Sequence, residues 1–410
     1  MKMNIKNFFS INLIGFVVPS IVGFTSIIYL QKVVINEIFV TISFIWTMLT
    51  IFGISDLGFS RLSARETASY RLKKNSLDLT KKNISKIIFN SLSISLIVLS
   101  FLLLLIYVFI SDTNSKVYLY YFALALPLFV INSVFRGISE GNNDFYTVNF
   151  IKIIFSSFVF LFPIVQQIIF SEIYLFIYLI LIIFLRIFLL IFLFYRNYEF
   201  LRNFYKNLSK KSFFSFYIIE SPALAFSGIL GAFIIFIERG LFESFFPNFY
   251  YEFFLAHQII ISVWFIPSAL SLTLFPTLAN YNKNSSKEEI YKYMPYIFLL
   301  GLAAMVAIPL VIFVMSLMIN LQNILNIFLF SFYLSMSIGV MLGIIAQTLN
   351  IHLLAMKAYK YIFIYATIIF IFYVPSLAVF SSLSLVGFLV IWNLRYLVDL
   401  SLIYFKFSRL

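Results

Sequence analysis

A few charged or polar residues sit where the sequence is otherwise apolar, and they limit the chemistry open to this chain. Arg186 stands alone in the run 173–195, about ten residues from its end. At a helical rise of 1.5 Å per residue that is about 15 Å, the middle of a bilayer. Its guanidinium is permanently charged, and its planar fork fits a phosphate. It is either a ligand for an anionic lipid diphosphate or sugar acid, or the cationic half of an interhelical ion pair. Glu220 precedes Ser221-Pro222 in the run 213–237. Proline frees a carbonyl and permits a kink there. Glu220 is therefore either a protonatable or cation-binding switch coupled to bending, or a carboxylate that reaches the membrane surface. Glu238 and Arg239 close the same run. Adjacent residues point about 100° apart on a helix, so the two need not pair with each other. They line an outer gate or form an interfacial pair. His257 and Gln258 lie about five residues into the run 253–279, and offer interhelical hydrogen bonds or substrate contacts. The expected site is thus Arg186, Glu220, Glu238, Arg239 and His257, binding a substrate rather than catalysing a reaction.

Other chemistries lack their residues. The chain has no Cys and only two His, at 257 and 352, so a thiolate or His-rich metal site and a cysteine nucleophile are excluded. The glycine pair Gly137 and Gly141 lacks the lysine of a nucleotide-binding loop. No G-x-S-x-G or H-E-x-x-H appears. No cofactor is expected, and the chain reads as a non-enzyme. A membrane-embedded polysaccharide polymerase or acyltransferase would need a large outer loop with acid and base groups. The largest outer segment, 239–252, has only about fifteen residues. What remains is transport, driven by a gradient or by the substrate itself.

The elements that must position these residues follow from composition. Of 410 residues, 62% are hydrophobic and 11% charged, and the mean hydropathy is +1.03. A soluble domain carries about 25% charged residues. The chain is therefore polytopic and membrane-embedded, which excludes a soluble enzyme, a disordered protein and a nucleic-acid binder. Twelve runs approach the 20 or so apolar residues a spanning helix needs. They are 8–30, 38–54, 84–110, 117–135, 148–170, 173–195, 213–237, 253–279, 291–319, 324–350, 359–379 and 383–405. The first is too long for the apolar core of a signal peptide and reads as a retained helix.

The net charge of +13 lies mostly between these runs. With a cytoplasmic N-terminus, inner segments hold 25 basic residues, Arg136, Lys152 and Arg395 among them, and outer segments hold three. That asymmetry orients the chain with both termini cytoplasmic. The first and seventh runs start 205 residues apart and each carries a proline about ten residues in, Pro19 and Pro222. The expected fold is all-α, with twelve transmembrane helices in two six-helix lobes, 1–195 and 213–410. A basic cytoplasmic linker, 196–212, joins them as a parallel repeat. The polar stretch 56–82 is either one or two helices at the inner lipid surface or a solvated basic loop.

Several short motifs carry a family resemblance: Asp56-Leu57-Gly58-Phe59 with Arg61 and Arg65-Glu66; Phe135-Arg136-Gly137-Ile138 with Glu140-Gly141-Asn142-Asn143; Glu220-Ser221-Pro222; Ile237-Glu238-Arg239; Tyr250-Tyr251 with Leu255-Ala256; and Leu274-Phe275-Pro276-Thr277-Leu278. Together they resemble the polysaccharide-biosynthesis branch of the multidrug/oligosaccharidyl-lipid/polysaccharide exporter superfamily, the O-antigen-type flippases, over nearly the whole chain. Where that pattern has aspartate before the arginine and glycine before the tyrosine, this chain has Glu238 and Tyr250. The resemblance implies two lobes rocking around a central cavity in the bacterial inner membrane. It implies export of an undecaprenyl-diphosphate-linked oligosaccharide to the periplasmic leaflet. The implied partners are that substrate, membrane lipids, a coupling cation or proton, and polymer-assembly membrane proteins. A multidrug exporter of the same superfamily is the close rival, and it would favour acidic cavity residues.

Overall fold

The computed structural model describes residues 5–54, 58–72, 75–109, 113–202, 217–249, 253, 257, 259–260, 263–279, 281, 283–319 and 327–409. The described residues are almost entirely helical. In chain order the helices are α1 (Ile5–Val33), α2 (Asn36–Ile54), α3 (Phe59–Arg71), α4 (Leu77–Phe109), α5 (Thr113–Gly141), α6 (Phe145–Phe170), α7 (Leu175–Arg196), α8 (Tyr198–Leu201), α9 (Tyr217–Phe245), α10 (Phe265–Leu278), α11 (Lys283–Ile319), α12 (Ile327–Ala355), α13 (Tyr359–Leu383) and α14 (Leu385–Arg409). Among the described residues nine helices are long and apolar enough to cross a bilayer. The chain is a multi-pass membrane protein. Of the expected eighth run, 253–279, positions 254–256, 258 and 261–262 lie outside the described residues, which hold its helical positions Phe253, His257, Ile259 and Ile260 and then the shorter α10.

Helices dominate because a backbone in lipid must satisfy its own hydrogen bonds. Hydroxyl side chains do the same by bonding back one turn: Thr47 to the Ser43 carbonyl, Ser337 to Tyr333, Thr348 to Ile344. Two compact units result, Lys6–Gly228 and Ile229–Leu410, and α9 contributes to both.

In the first unit α1 and α6 approach closely. Asn149 donates to Asn12 at 2.7 Å across their buried contact, and a Cβ on Gly15 would meet Asn149 Oδ1 at 1.9 Å. This sets α6, and with it Lys152, against Phe16. Between α5 and α7 the buried Asn197 donates to Ser139 Oγ at 3.0 Å and to the Leu193 carbonyl at 2.9 Å. Trp46 on α2 donates to Tyr178 on α7 at 3.0 Å, and Tyr178 donates to the Val159 carbonyl on α6 at 2.7 Å. Three helices are thereby pinned around one wall.

Of the two expectations for the stretch 56–82, the structure favours a helix: its middle is α3, buried from Phe59 to Ala68 apart from Arg61, and not a solvated loop. Gly58 starts it with φ +72°, a conformation that favours glycine. The small residues Ser60, Ser63, Ala64 and Thr67 face α5 where Gly137 and Gly141 lie, a small-residue contact of the kind that lets helix backbones meet in membranes. Added Cβ atoms would fall 2.2 Å from the Ser60 carbonyl oxygen and 2.3 Å from that of Ala64. Gly137→Ala is therefore expected to lower stability by about 1–3 kcal/mol. Gly231→Ala, with nothing within 4 Å of its Cβ, should be neutral or stabilising. Melting in detergent compares the two.

The second unit packs α12 against α11 and α14, with α10 and α13 alongside. Its core is aromatic: Phe242 stacks on Phe253 at 3.9 Å, and Phe388 meets both edge-on.

Candidate functional site

Arg186 sits at the middle of α7. Its guanidinium lies 3.4 Å from the ring centroid of Phe155 on α6 and 4.3 Å from that of Phe129 on α5. Two aromatic faces thus hold a flat cation by its quadrupole attraction. Asn132 on α5 donates to the Arg186 carbonyl at 3.3 Å. Buried Nε has no hydrogen-bond partner. Among the described residues no carboxylate lies within ion-pair distance of this cation.

Two more cations join it. Lys152 lies on α6 about one turn before Phe155, its Nζ 3.1 Å from the Phe16 centroid and without a hydrogen-bond partner. Arg136 lies on α5 one turn beyond Asn132. Arg136, Lys152 and Arg186 line one cavity of about 240 Å³ together with the uncharged polar residues Asn132, Ser133 and Ser156, and among the described residues no acid lies in its wall. Beside it, Glu140 on α5 lies 3.2 Å from Arg136 and 4.0 Å from Arg61 of α3.

The second unit holds an arrangement of the opposite kind. Glu238 on α9 is 1% exposed. It accepts from the Tyr373 hydroxyl of α13 at 2.7 Å, from His257 Nε2 at 3.1 Å, and from Arg395 Nη1 of α14. Arg239 Nε donates to His257 Nδ1 at 3.1 Å. A ring nitrogen that accepts carries no proton, so the His257 proton is on Nε2 and His257 is the neutral donor to Glu238. Arg395 also lies over the rings of Tyr373 and Tyr396, 5.1 and 4.9 Å from their centroids. Both carboxylate oxygens of Glu238 thus have a donor. This is a packed, satisfied ionic network.

The expected site residues therefore separate. Glu238, Arg239 and His257 come together in the second unit, and Arg186 lies in the first. Glu238 and Arg239 are buried, 1% and 8% exposed, rather than an interfacial pair, and His257 joins them. Glu220 falls in α9, but its side chain is outside those described, as is Gln258. The sequence reading missed Lys152, Arg136, Arg395 and Tyr373. The three cations had been placed in inner loops. Arg395 instead lies ten residues into α14, and Arg136 and Lys152 line the cavity. The available signal was that Lys152 and Arg395 fall inside the apolar runs 148–170 and 383–405.

No protein-family description and no curated protein matches the sequence. Solved structures do. One, described as MATE in complex with MaL6, gives a TM-score of 0.74 at 13% identity over 99% of this chain and 96% of that one. An outward-facing multidrug resistance MATE family transporter of the MOP superfamily gives 0.68 at 12% over 99% and 95%. A MOP superfamily transporter from Pyrococcus furiosus Vc1 (DSM3638), described as having a binding pocket of reverse polarity that suggests a different function, gives 0.69 at 13% over 98% and 95%. The chain thus has the all-helical fold of MATE and MOP-superfamily transporters.

Proposed function

We propose that the chain is a non-enzymatic transporter that moves an anionic, lipid-linked oligosaccharide diphosphate from the cytoplasmic to the periplasmic leaflet of a bacterial inner membrane by alternating access. The observation that carries this is the acid-free cavity lined by Arg136, Lys152 and Arg186. Arg136 has Glu140 beside it, but Arg186 has no carboxylate within ion-pair distance among the described residues, and such a cation at membrane depth costs several kcal/mol, so a function is the default reason to keep it. A diphosphate supplies the missing charge and accepts bidentate bonds. Such a head group needs a polar path through about 30 Å of hydrocarbon, while its lipid tail can stay in the bilayer. The excess of basic residues between the apolar runs supports cytoplasmic termini and collection of anionic head groups from the inner leaflet. The two lobes as rocking bodies, the coupling cation or proton and the polymer-assembly partners rest on the family resemblance.

The second reading, export of cationic drugs, is favoured by the multidrug resistance transporter among the similar structures. Three cations in one cavity weigh against a cationic cargo. The P. furiosus transporter, whose binding pocket is described as having reverse polarity, shares the fold. A proteoliposome assay separates the readings. The full chain is expected to move a fluorescent polyprenyl-diphosphate oligosaccharide between leaflets and to leave a lipophilic cationic dye in place. Movement of the dye and not the diphosphate overturns the proposal.

A further inference from the structure

One buried carboxylate lies beside the cationic cavity, outside its lining but against the Arg136 that lines it: Glu140, 1% exposed, at the end of α5. Its Oε1 is 3.2 Å from Arg136 Nε and its Oε2 4.0 Å from Arg61 Nη1. Lys152 lies within its electrostatic reach. Oε1 receives no hydrogen bond of good geometry, so attraction between charges, not aligned donors, holds that oxygen. Glu238 is the internal control. It is buried to the same degree but takes donors from three side chains. One acid is locked and the other is held loosely against the cations that line a cavity.

A carboxylate offers two oxygens and one negative charge, and a diphosphate offers more of both. Where they compete for Arg136, the diphosphate wins and Glu140 is left with Arg61. We infer that Glu140 is a resident stand-in for the substrate's phosphate, a specificity residue that yields Arg136 only to an anion stronger than itself. This rests on the anion reading above. It has two consequences. Glu140 weakens the binding of every anion that must take Arg136 from it, and a monophosphate, with fewer oxygens and less charge than a diphosphate, displaces it less completely, so Glu140 sharpens the choice of diphosphate over monophosphate. With Arg61, Arg136, Lys152 and Arg186 around it, loss of its charge raises the local net charge from +3 to +4.

The test is binding of farnesyl diphosphate and farnesyl phosphate to the purified full chain in detergent. Glu140→Gln is expected to bind farnesyl diphosphate about tenfold more tightly than wild type, and to discriminate less against the monophosphate. Glu140→Asp draws the carboxylate back by one methylene and should fall between the two. If Glu140→Gln does not fold, Glu140→Asp decides by itself. Equal or weaker binding by a folded variant, or unchanged discrimination, overturns the stand-in role while the anion reading survives. Absence of binding by wild type and both variants overturns the anion reading and the stand-in together. Inorganic pyrophosphate is the third arm. Binding as tight as that of farnesyl diphosphate would assign the site to free phosphate anions and overturn a lipid source.

Discussion

Glu238→Ala should unfold the second unit's polar core, lowering stability by about 3–5 kcal/mol. The substitution removes the acceptor of three donors at once. Arg395, with a side chain 14% exposed, would lose its ion-pair partner and keep only the buried Asp399, one turn further along α14, within its electrostatic reach. The Tyr373 hydroxyl and the His257 Nε2 proton would lose their acceptor, each an unsatisfied buried donor costing about 1–3 kcal/mol. Cavity relaxation recovers part of this, which is why the terms do not simply add. The expected result is a lower melting temperature in detergent and reduced yield. Glu238→Gln should fall between, because it keeps the shape and one acceptor oxygen but loses the charge. A paired change, Glu238→Leu with Arg395→Met, should recover only the part of the loss that comes from the unpaired charge, because the Tyr373 and His257 donors remain without their acceptor. An unchanged melting curve for Glu238→Ala would mean that Arg395 has another counter-charge.

The all-helical membrane class was legible because it follows from averages. A chain with 11% charged residues cannot cover itself in water. Run lengths then fixed where most helices lie, since hydrocarbon thickness sets them. The site was less legible, for two physical reasons. First, a single charge among twenty apolar residues barely changes a hydropathy average. Lys152 and Arg395 therefore read as topology signals although they lie inside their helices. Second, the decisive partners are far apart in sequence. Glu238 meets Arg395 157 positions away and Tyr373 135 positions away, and no local spacing encodes such a meeting. Arg186 was legible because its run is so apolar that one guanidinium stands out. The burial of α3 was not, because its charges mask a face of Ser60, Ser63, Ala64 and Thr67. The Gly137 and Gly141 pair that receives this face has a packing role.

Arg186→Ala should behave in the opposite way to Glu238→Ala: function is lost and stability is kept or gained. No carboxylate among the described residues depends on Arg186, so truncation leaves no orphaned acid. It also removes a buried cation that its neighbour Arg136 repels. What it forfeits is the cation–aromatic contact with Phe129 and Phe155, worth about 0.5–2 kcal/mol. The balance is near zero or favourable, the pattern of a residue kept for activity at a cost in stability. Binding is another matter. A charge-assisted hydrogen bond contributes about 1.5–3 kcal/mol. Arg186→Ala should therefore weaken binding of a diphosphate probe by about 10- to 100-fold, and transport should fall with it. Arg186→Lys separates charge from shape. It keeps the charge, but an ammonium cannot lie flat between two rings or present a bidentate fork. Its loss should be intermediate, with a similar melting temperature. Wild-type transport by a folded Arg186→Ala protein would remove this residue from the substrate path. A sharp fall in its melting temperature would instead make Arg186 a structural cation with a counter-charge elsewhere.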